Sequence, residues 1–284
     1  VNPSDAEKAL KLIGQEFELE LEAAKLVIPE VEENLSVLAI VGENMKRTPG
    51  MSGKLFAALG RNGINVRAIA QGSSEFNISV IISKDDLAKA LNAVHDAFFA
   101  ELKKTLHVFN LGTGNIGATL FRQLAEQHDF LLENNDIEIK VVGVSNSRKM
   151  VFNLEGINLD TWSDELDEKG ELADLSGFVE KMKAFNLPNC VFIDNTASKV
   201  PATYYEDIFK ANISIVTCNK IANSGEYAQY RLLHDTARKH GVDFFYETNV
   251  GAGLPIVSVL KDLMLSGDRI LKIEAILSGT ISYI

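Results

Sequence analysis

Residues 105–127 read TLHVFNLGTGNIGATLFRQLAEQ. Leu106, Val108, Phe109 and Leu111 form an apolar run that stops at a glycine turn, as a buried strand does. Ile116, Leu120, Phe121 and Leu124 then recur at helical spacing. Between strand and helix lies G-x-G-x-x-G, as Gly112, Gly114 and Gly117. In a dinucleotide site the first glycine makes the tight turn, the second lets the backbone approach a pyrophosphate, and the third lets the helix pack close to the strand. The free N–H groups at the helix start, with Asn115 and Ile116 in its first turn, would hold the phosphates. The bare motif is weak; the order strand, turn, helix strengthens it. A glycine-rich βα turn with no ligand is the alternative.

Downstream, residues 137–144 (IEIKVVGV) read as the second strand. An NAD site would place an acid at its end for the ribose 2′-hydroxyl. The end here is Val144-Ser145-Asn146-Ser147-Arg148-Lys149, with no acid. Small polar groups and two cations suit a 2′-phosphate, because a guanidinium binds phosphate bidentately. NADP is favoured over NAD, with Arg148 and Lys149 as its contacts, against a merely solvated pair of cations. Residues 128–136 read as a polar extension of the crossover, and 158–185 as acidic and helical, with Trp162 as packing. CVFIDNTAS (190–198) and ISIVTCNK (213–220) read as strands with polar carboxyl ends, where open α/β sheets bind ligands. Thr196 and Ser198 are counted as cofactor contacts. Lys220 could hydrogen-bond a substrate oxygen or move a proton, or be a surface cation. Residues 227–240 read as an amphipathic helix. The expected class is α/β, a doubly wound parallel sheet of Rossmann type over 105–245.

Composition bounds the partners. A chain of 284 residues usually makes about two domains, and 46% hydrophobic content is ample for cores. A net charge of -11 with no basic stretch argues against nucleic acid. No run of about 18 apolar residues offers a membrane span. Two distant cysteines, Cys190 and Cys218, suggest a reducing compartment, hence the cytoplasm. The five histidines show no metal-ligand spacing. The chain opens at Val1 without methionine and stops at Ile284 inside an apparent strand, so a piece of a longer protein is expected.

The first 104 residues read differently. Residues 3–17 carry a helical stripe, 34–41 (NLSVLAIV) a strand, Ser52 to Arg61 a helix, 64–70 and 76–82 strands, and Lys84 to Phe99 a helix capped by Ser83. The order βαββα makes a small α+β module. Residues 35–99, above all VGENMKRTPGMSGKLFAALGRNGINVRAIAQGSSE, resemble the ACT family of amino-acid-binding regulatory domains, specifically the second ACT unit of aspartokinases. The resemblance implies an ACT domain over 34–104, a tail of a preceding ACT unit over 1–33, and an effector contact at Gln71 near Ile69. By its own chemistry Gln71 offers donors and an acceptor to an amino acid, or is a solvated turn residue before Gly72.

The last stretch, YETNVGAGLPIVSVLKDLMLSGDRILKIEAILSGTISYI (246–284), reads as a helix over 255–266 and a strand over 270–278. Together with LGTGNIGATL, VGVSNSRK, VFIDNTAS and VTCNKIANS it resembles homoserine dehydrogenase. Joined to an ACT unit, the whole resembles the middle of bifunctional aspartokinase/homoserine dehydrogenase. That resemblance implies NAD(P)H-dependent reduction of L-aspartate 4-semialdehyde to L-homoserine, threonine as the usual effector, and a homo-oligomer, dimer or tetramer. It also implies Lys220 beside nicotinamide and substrate, and Gly279 and Thr280 beside the cofactor. A monovalent cation, usually sodium, would sit on Glu247 and the carbonyls of Val250, Ala252 and Leu254; hard oxygens suit it. Glu247 as a helix cap or ion-pair partner is the alternative. Residues 246–284 would begin a substrate domain whose acids and proton-donor lysine lie beyond Ile284. Two other classes remain: an NADP- and amino-acid-binding regulator without chemistry, and another ACT-linked nicotinamide enzyme. The ETNVGAGLP and TCNK runs argue against both.

Overall fold

The computed structural model describes residues 5–27, 29–42, 45, 48–72, 76–99 and 104–275. The chain forms two compact units, Val1–Met51 with Asn65–Ala88, and Ser52–Ile64 with Lys89–Ile284.

The first unit holds helices α1 (Ala6–Glu16) and α2 (Glu18–Glu22) and strands β1 (Leu35–Val41), β2 (Ala68–Gln71) and β3 (Asn77–Ser83). The strands form an antiparallel sheet in the order β1-β3-β2. Register sets Leu38 opposite Val80 and Val80 opposite Ile69, and Ile40 opposite Ile78 and Ile78 opposite Gln71. Leu38, Ile40, Ile78 and Val80 are therefore on one face, and all are buried. Val37 and Val41, on the other face, are exposed. Strand β2 begins later than the apolar run suggested, although Arg67 N–H already donates to Ile81 O at 2.8 Å. Ser83 caps the next turn, its Oγ accepting from Asp85 N–H at 3.3 Å. Helices α3 (Met51–Arg61) and α4 (Leu87–Phe98), almost all of whose residues are counted in the second unit, complete the chain order βαββα. Each buries one stripe: Leu55, Ala58 and Leu59, and Ala90, Ala93 and Val94.

The second unit is built on a seven-stranded sheet. Its strands are β4 (Lys104–Leu111), β5 (Ile137–Ser145), β6 (Lys149–Phe152), β7 (Glu171–Leu172), β8 (Cys190–Asp194), β9 (Ser214–Thr217) and β10 (Phe244–Phe245), in the order β10-β9-β8-β4-β5-β6-β7. The first five in that order run parallel. Alternation of side chains along β4 splits the core. Phe109 and Leu111 join Phe192, Ile215, and residues of helices α7 (Leu175–Ala184), α8 (Tyr205–Lys210) and α10 (Tyr227–His240). Val108 joins Val141, Val144 and Ile193 with Phe121 of α5 (Asn115–Asn135) and Leu166 of α6 (Trp162–Lys169). Helices on both faces make the sheet doubly wound, as expected.

Three details differ from the sequence reading. The far edge is antiparallel: β6 folds back on β5, and β7 on β6. Asn146 drives the reversal, its Oδ1 accepting from Arg148 N–H at 2.7 Å and Lys149 N–H at 2.8 Å. Helix α5 absorbs the polar stretch and ends at Asp136 in left-handed conformation, φ 55°. Helix α9 (Ile221–Ser224) and helix α11 (Val257–Leu265) follow, but residues 270–275 form no strand and 276–284 lie outside the described residues. Nothing on α11 is buried. Among the described residues no helix is long and apolar enough to cross a membrane.

Candidate active site

Strand order reverses beside β4: the chain leaves it for β5 on one side and returns to β8 on the other. The loops after β4 and β8 therefore diverge and leave a crevice at the strands' carboxyl ends. Its volume is about 630 Å³, and Gly112, Gly114, Arg148, Thr196 and Ser198 line it.

Each glycine meets a different constraint. Gly112 has φ +98°, and a Cβ there would lie 2.9 Å from the Asn195 carbonyl carbon. A Cβ on Gly117 would lie 2.0 Å from Gly112 O, so close helix–strand approach requires a glycine. A Cβ on Gly114 would meet nothing within 4 Å and would project into open space. Gly114 is the N-cap of α5, and no side chain caps that end. The N–H groups of the first turn, at Asn115 and Ile116, thus have no intrahelical acceptor. Ile116, assigned by spacing to the apolar stripe, is exposed here; Phe121 is the buried residue. Buried Asn110 pins the turn, donating to Gly112 O at 3.0 Å and accepting from Asn195 Nδ2 at 2.8 Å.

The two cations after β5 separate. Arg148 lines the crevice, and its guanidinium has no partner among the described residues. Lys149 begins β6 and turns to α6, where its Nζ donates to Asp167 O and lies 3.8 Å from Asp167 Oδ1. Arg148 belongs to the turn before β6 and lines the crevice, whereas Lys149 does not.

The loops after β8 and β9 meet in a buried polar network that the sequence reading did not single out. Asp194 Oδ2 accepts from Tyr205 Oη at 2.6 Å and Asn219 Nδ2 at 3.0 Å, and Oδ1 accepts from Thr196 N–H at 2.8 Å. Asn219 Nδ2 also donates to Ser198 O at 2.8 Å. Thr217 Oγ1 donates to Asp194 O at 3.0 Å. Lys220 follows Asn219 directly and is exposed at the same edge of the sheet. The signal was present as polar residues at strand ends, but only Thr196 is local to Asp194; Tyr205 and Asn219 lie 11 and 25 positions away. Neither thiol is activated. Burial pushes Cys190 up to about 12, and burial followed by nearby Asp194 raises Cys218.

Glu247 acts as a cap. Its Oε1 accepts from Val257 N–H at 2.8 Å and its Oε2 from Ser258 N–H at 2.9 Å, across the start of α11. Partial burial pushes its pKa up, but the amides of Ser258 and Val257 outweigh this and hold it below the usual range. Gly251 at φ +74° and Ala252 at φ 53° curl the intervening loop. Leu254 O already accepts from Ile256 N–H at 2.9 Å. Gly279 and Thr280 lie outside the described residues. In the first unit, Ile69 and Gln71 lie two apart on edge strand β2, on the same face, and both are exposed.

A doubly wound sheet with an uncapped helix start behind a glycine turn, in one chain with a βαββα sequence of elements, defines the class: a dinucleotide-binding fold joined to a small α+β module. Comparison with known proteins agrees: residues 38–98 match the ACT domain and residues 112–247 the homoserine dehydrogenase NAD binding domain. Bifunctional aspartokinase/homoserine dehydrogenase 2, chloroplastic, of Arabidopsis thaliana is 45% identical over 94% of this chain and 29% of its own length. The bifunctional enzyme of Buchnera aphidicola is 38% identical over 99% of this chain and 34% of its own. A solved structure of a Candida auris protein of unknown function is 30% identical, with TM-score 0.57, covering 64% of this chain and 49% of that one. The chain belongs to the bifunctional aspartokinase/homoserine dehydrogenase family, and it spans about a third of the length of these curated relatives.

Proposed function

We propose that the chain forms the NADP(H)-binding part of a homoserine dehydrogenase, which interconverts L-aspartate 4-semialdehyde and L-homoserine. The carrying observation is the crevice itself, with an uncapped helix start and open space at Gly114; Lys220 does not line it but follows β9 at the same edge of the sheet. The residues fit the cofactor. Amides of Asn115 and Ile116 suit a pyrophosphate, and the unpartnered Arg148 suits a 2′-phosphate, which favours NADP over NAD. Lys149, engaged with Asp167, contributes field at most. When bound, the nicotinamide supplies or accepts hydride. Lys220 would donate a hydrogen bond to the substrate's carbonyl oxygen and stabilise charge developing there. Thr196 and Ser198 border the crevice and would offer hydrogen-bonding groups to the cofactor.

A monovalent cation, sodium, fits the 247–254 loop by donor chemistry. Left-handed Gly251 and Ala252 curl the loop that carries the carbonyls of Val250, Ala252 and Leu254, and Glu247 keeps lone pairs beyond its two capping bonds. Threonine is the proposed effector, with Gln71 and Ile69 as contacts on an exposed edge. That edge also favours pairing with a second copy, a dimer or tetramer. A reducing compartment suits free Cys190 and Cys218; the cytoplasm is one, and the Arabidopsis relative is named chloroplastic. The test is NADP⁺-dependent oxidation of homoserine by the full-length protein, wild type and Lys220→Ala. A fall in kcat of about 10²-fold or more is expected. Unchanged turnover would remove Lys220 from the site; no wild-type turnover would end the dehydrogenase reading.

A further inference from the structure

Asp194 ends β8 and is fully shielded from solvent, yet no lysine or arginine pairs with it among the described residues. A buried carboxylate persists only when hydrogen bonds satisfy it. Its three donors come from three places: Tyr205 on α8, Asn219 in the turn after β9, and Thr196 in the turn after β8. Tyr205 is itself fully buried. Burial, then the adjacent carboxylate, raises its pKa far above the phenol range, so it remains a donor. Asn219 reaches onward to Ser198 O, and Lys220 is the next residue. The turn after β8, which lines the crevice, and the turn after β9, which carries Lys220 just outside its lining, are thus tied through one carboxylate.

We propose that Asp194 is a positioning residue: its carboxylate fixes the separation between the Thr196–Ser198 turn and Lys220, and so aims the lysine across the crevice. This rests on the dehydrogenase reading above. Asn at 194 keeps the shape but cannot keep the pattern. Every oxygen now faces a donor, so one orientation sets NH₂ against Thr196 N–H and the other against Tyr205 Oη and Asn219 Nδ2.

The experiment uses the full-length protein as wild type, Asp194→Asn and Tyr205→Phe. NADPH titration counts competent sites, and homoserine oxidation gives kcat per site; melting temperature is recorded alongside. Because a displacement of about 1 Å can cost ~10²-fold in rate, kcat per NADPH site should fall at least ~10-fold in Asp194→Asn. Tyr205→Phe, which removes one donor and little volume, should fall by a smaller factor, with KM for homoserine changing less than kcat. A purely structural role would lower the melting temperature and the number of sites but leave kcat per site at the wild-type value, and that result in Tyr205→Phe overturns the proposal. If Asp194→Asn binds no NADPH, Tyr205→Phe decides alone. Absence of turnover in wild type would instead refute the dehydrogenase reading, whatever the variants do.

Discussion

Two glycines three positions apart should respond oppositely to the same methyl group. At Gly117 a Cβ would sit 2.0 Å from Gly112 O, about 1 Å or more inside ordinary contact, and the obstacle is backbone that no rotamer change relieves. The start of α5 must move off β4. Overpacking of this kind costs about 1–3 kcal/mol. At ~2–4 °C per kcal/mol for a domain of this size, the melting temperature should drop about 2–12 °C. At Gly114 the same methyl meets nothing, and φ is -71°, which alanine adopts freely. Gly114→Ala should therefore melt at the wild-type temperature or slightly above, since Gly→Ala at a compatible site stabilises by about 0.4–1 kcal/mol. Yet the methyl projects toward where a pyrophosphate must approach the amides. Losing ~3 kcal/mol of charge-assisted hydrogen bonding would weaken NADPH binding ~10²-fold. Scanning calorimetry of the unliganded protein and fluorescence titration with NADPH read the two effects separately. Wild-type NADPH affinity in Gly114→Ala would refute the assignment of this turn to the pyrophosphate.

Arg148→Ala should narrow the preference for NADPH over NADH by about 10-fold, the size of one charge-assisted phosphate contact of ~1.5 kcal/mol; equal affinities in wild type, by titration calorimetry, would sink the choice of NADP. Glu247 has a lowered pKa, so its cap is intact above the ordinary glutamate value of about 4.3 and is lost as pH falls through the lower folded value. Hydrogen-exchange protection at the start of α11 should fall with acid in that window in wild type, be already reduced at neutral pH in Glu247→Gln, and show no such acid step there; matching profiles would refute the cap. Gln71→Ala should weaken threonine binding to the full-length protein and leave NADPH affinity unchanged, and a loss of both would point to a folding defect rather than an effector contact.

Local features were legible where the physics is local. The run 105–127 carried strand, turn and helix within itself, and Ser83 and the 227–240 helix were set by capping and period. What escaped depends on distant partners. Arg148 and Lys149 looked equivalent until Arg148 was seen to stay in the turn beside the crevice while Lys149 enters β6 and reaches Asp167. The antiparallel edge hinges on one Asn146 side chain reaching two amides. The cap at Glu247 stood in the sequence only as an alternative to a cation ligand, because the amides it holds are ten residues on. Asp194 read as one polar residue among four at a strand end. Its partners Tyr205, Thr217 and Asn219 arrive from other elements, and no spacing rule announces them. The expected strand over 270–278 rested on an apolar run alone, and 270–275 is irregular.

The most direct measurement is a structure of the full-length protein with NADPH. The account predicts pyrophosphate density against the amides of Asn115 and Ile116, the 2′-phosphate within hydrogen-bond reach of Arg148, and the nicotinamide on the side of the crevice bordered by Thr196, toward Lys220. Nucleotide density elsewhere, or a 2′-phosphate turned away from Arg148, would contradict it.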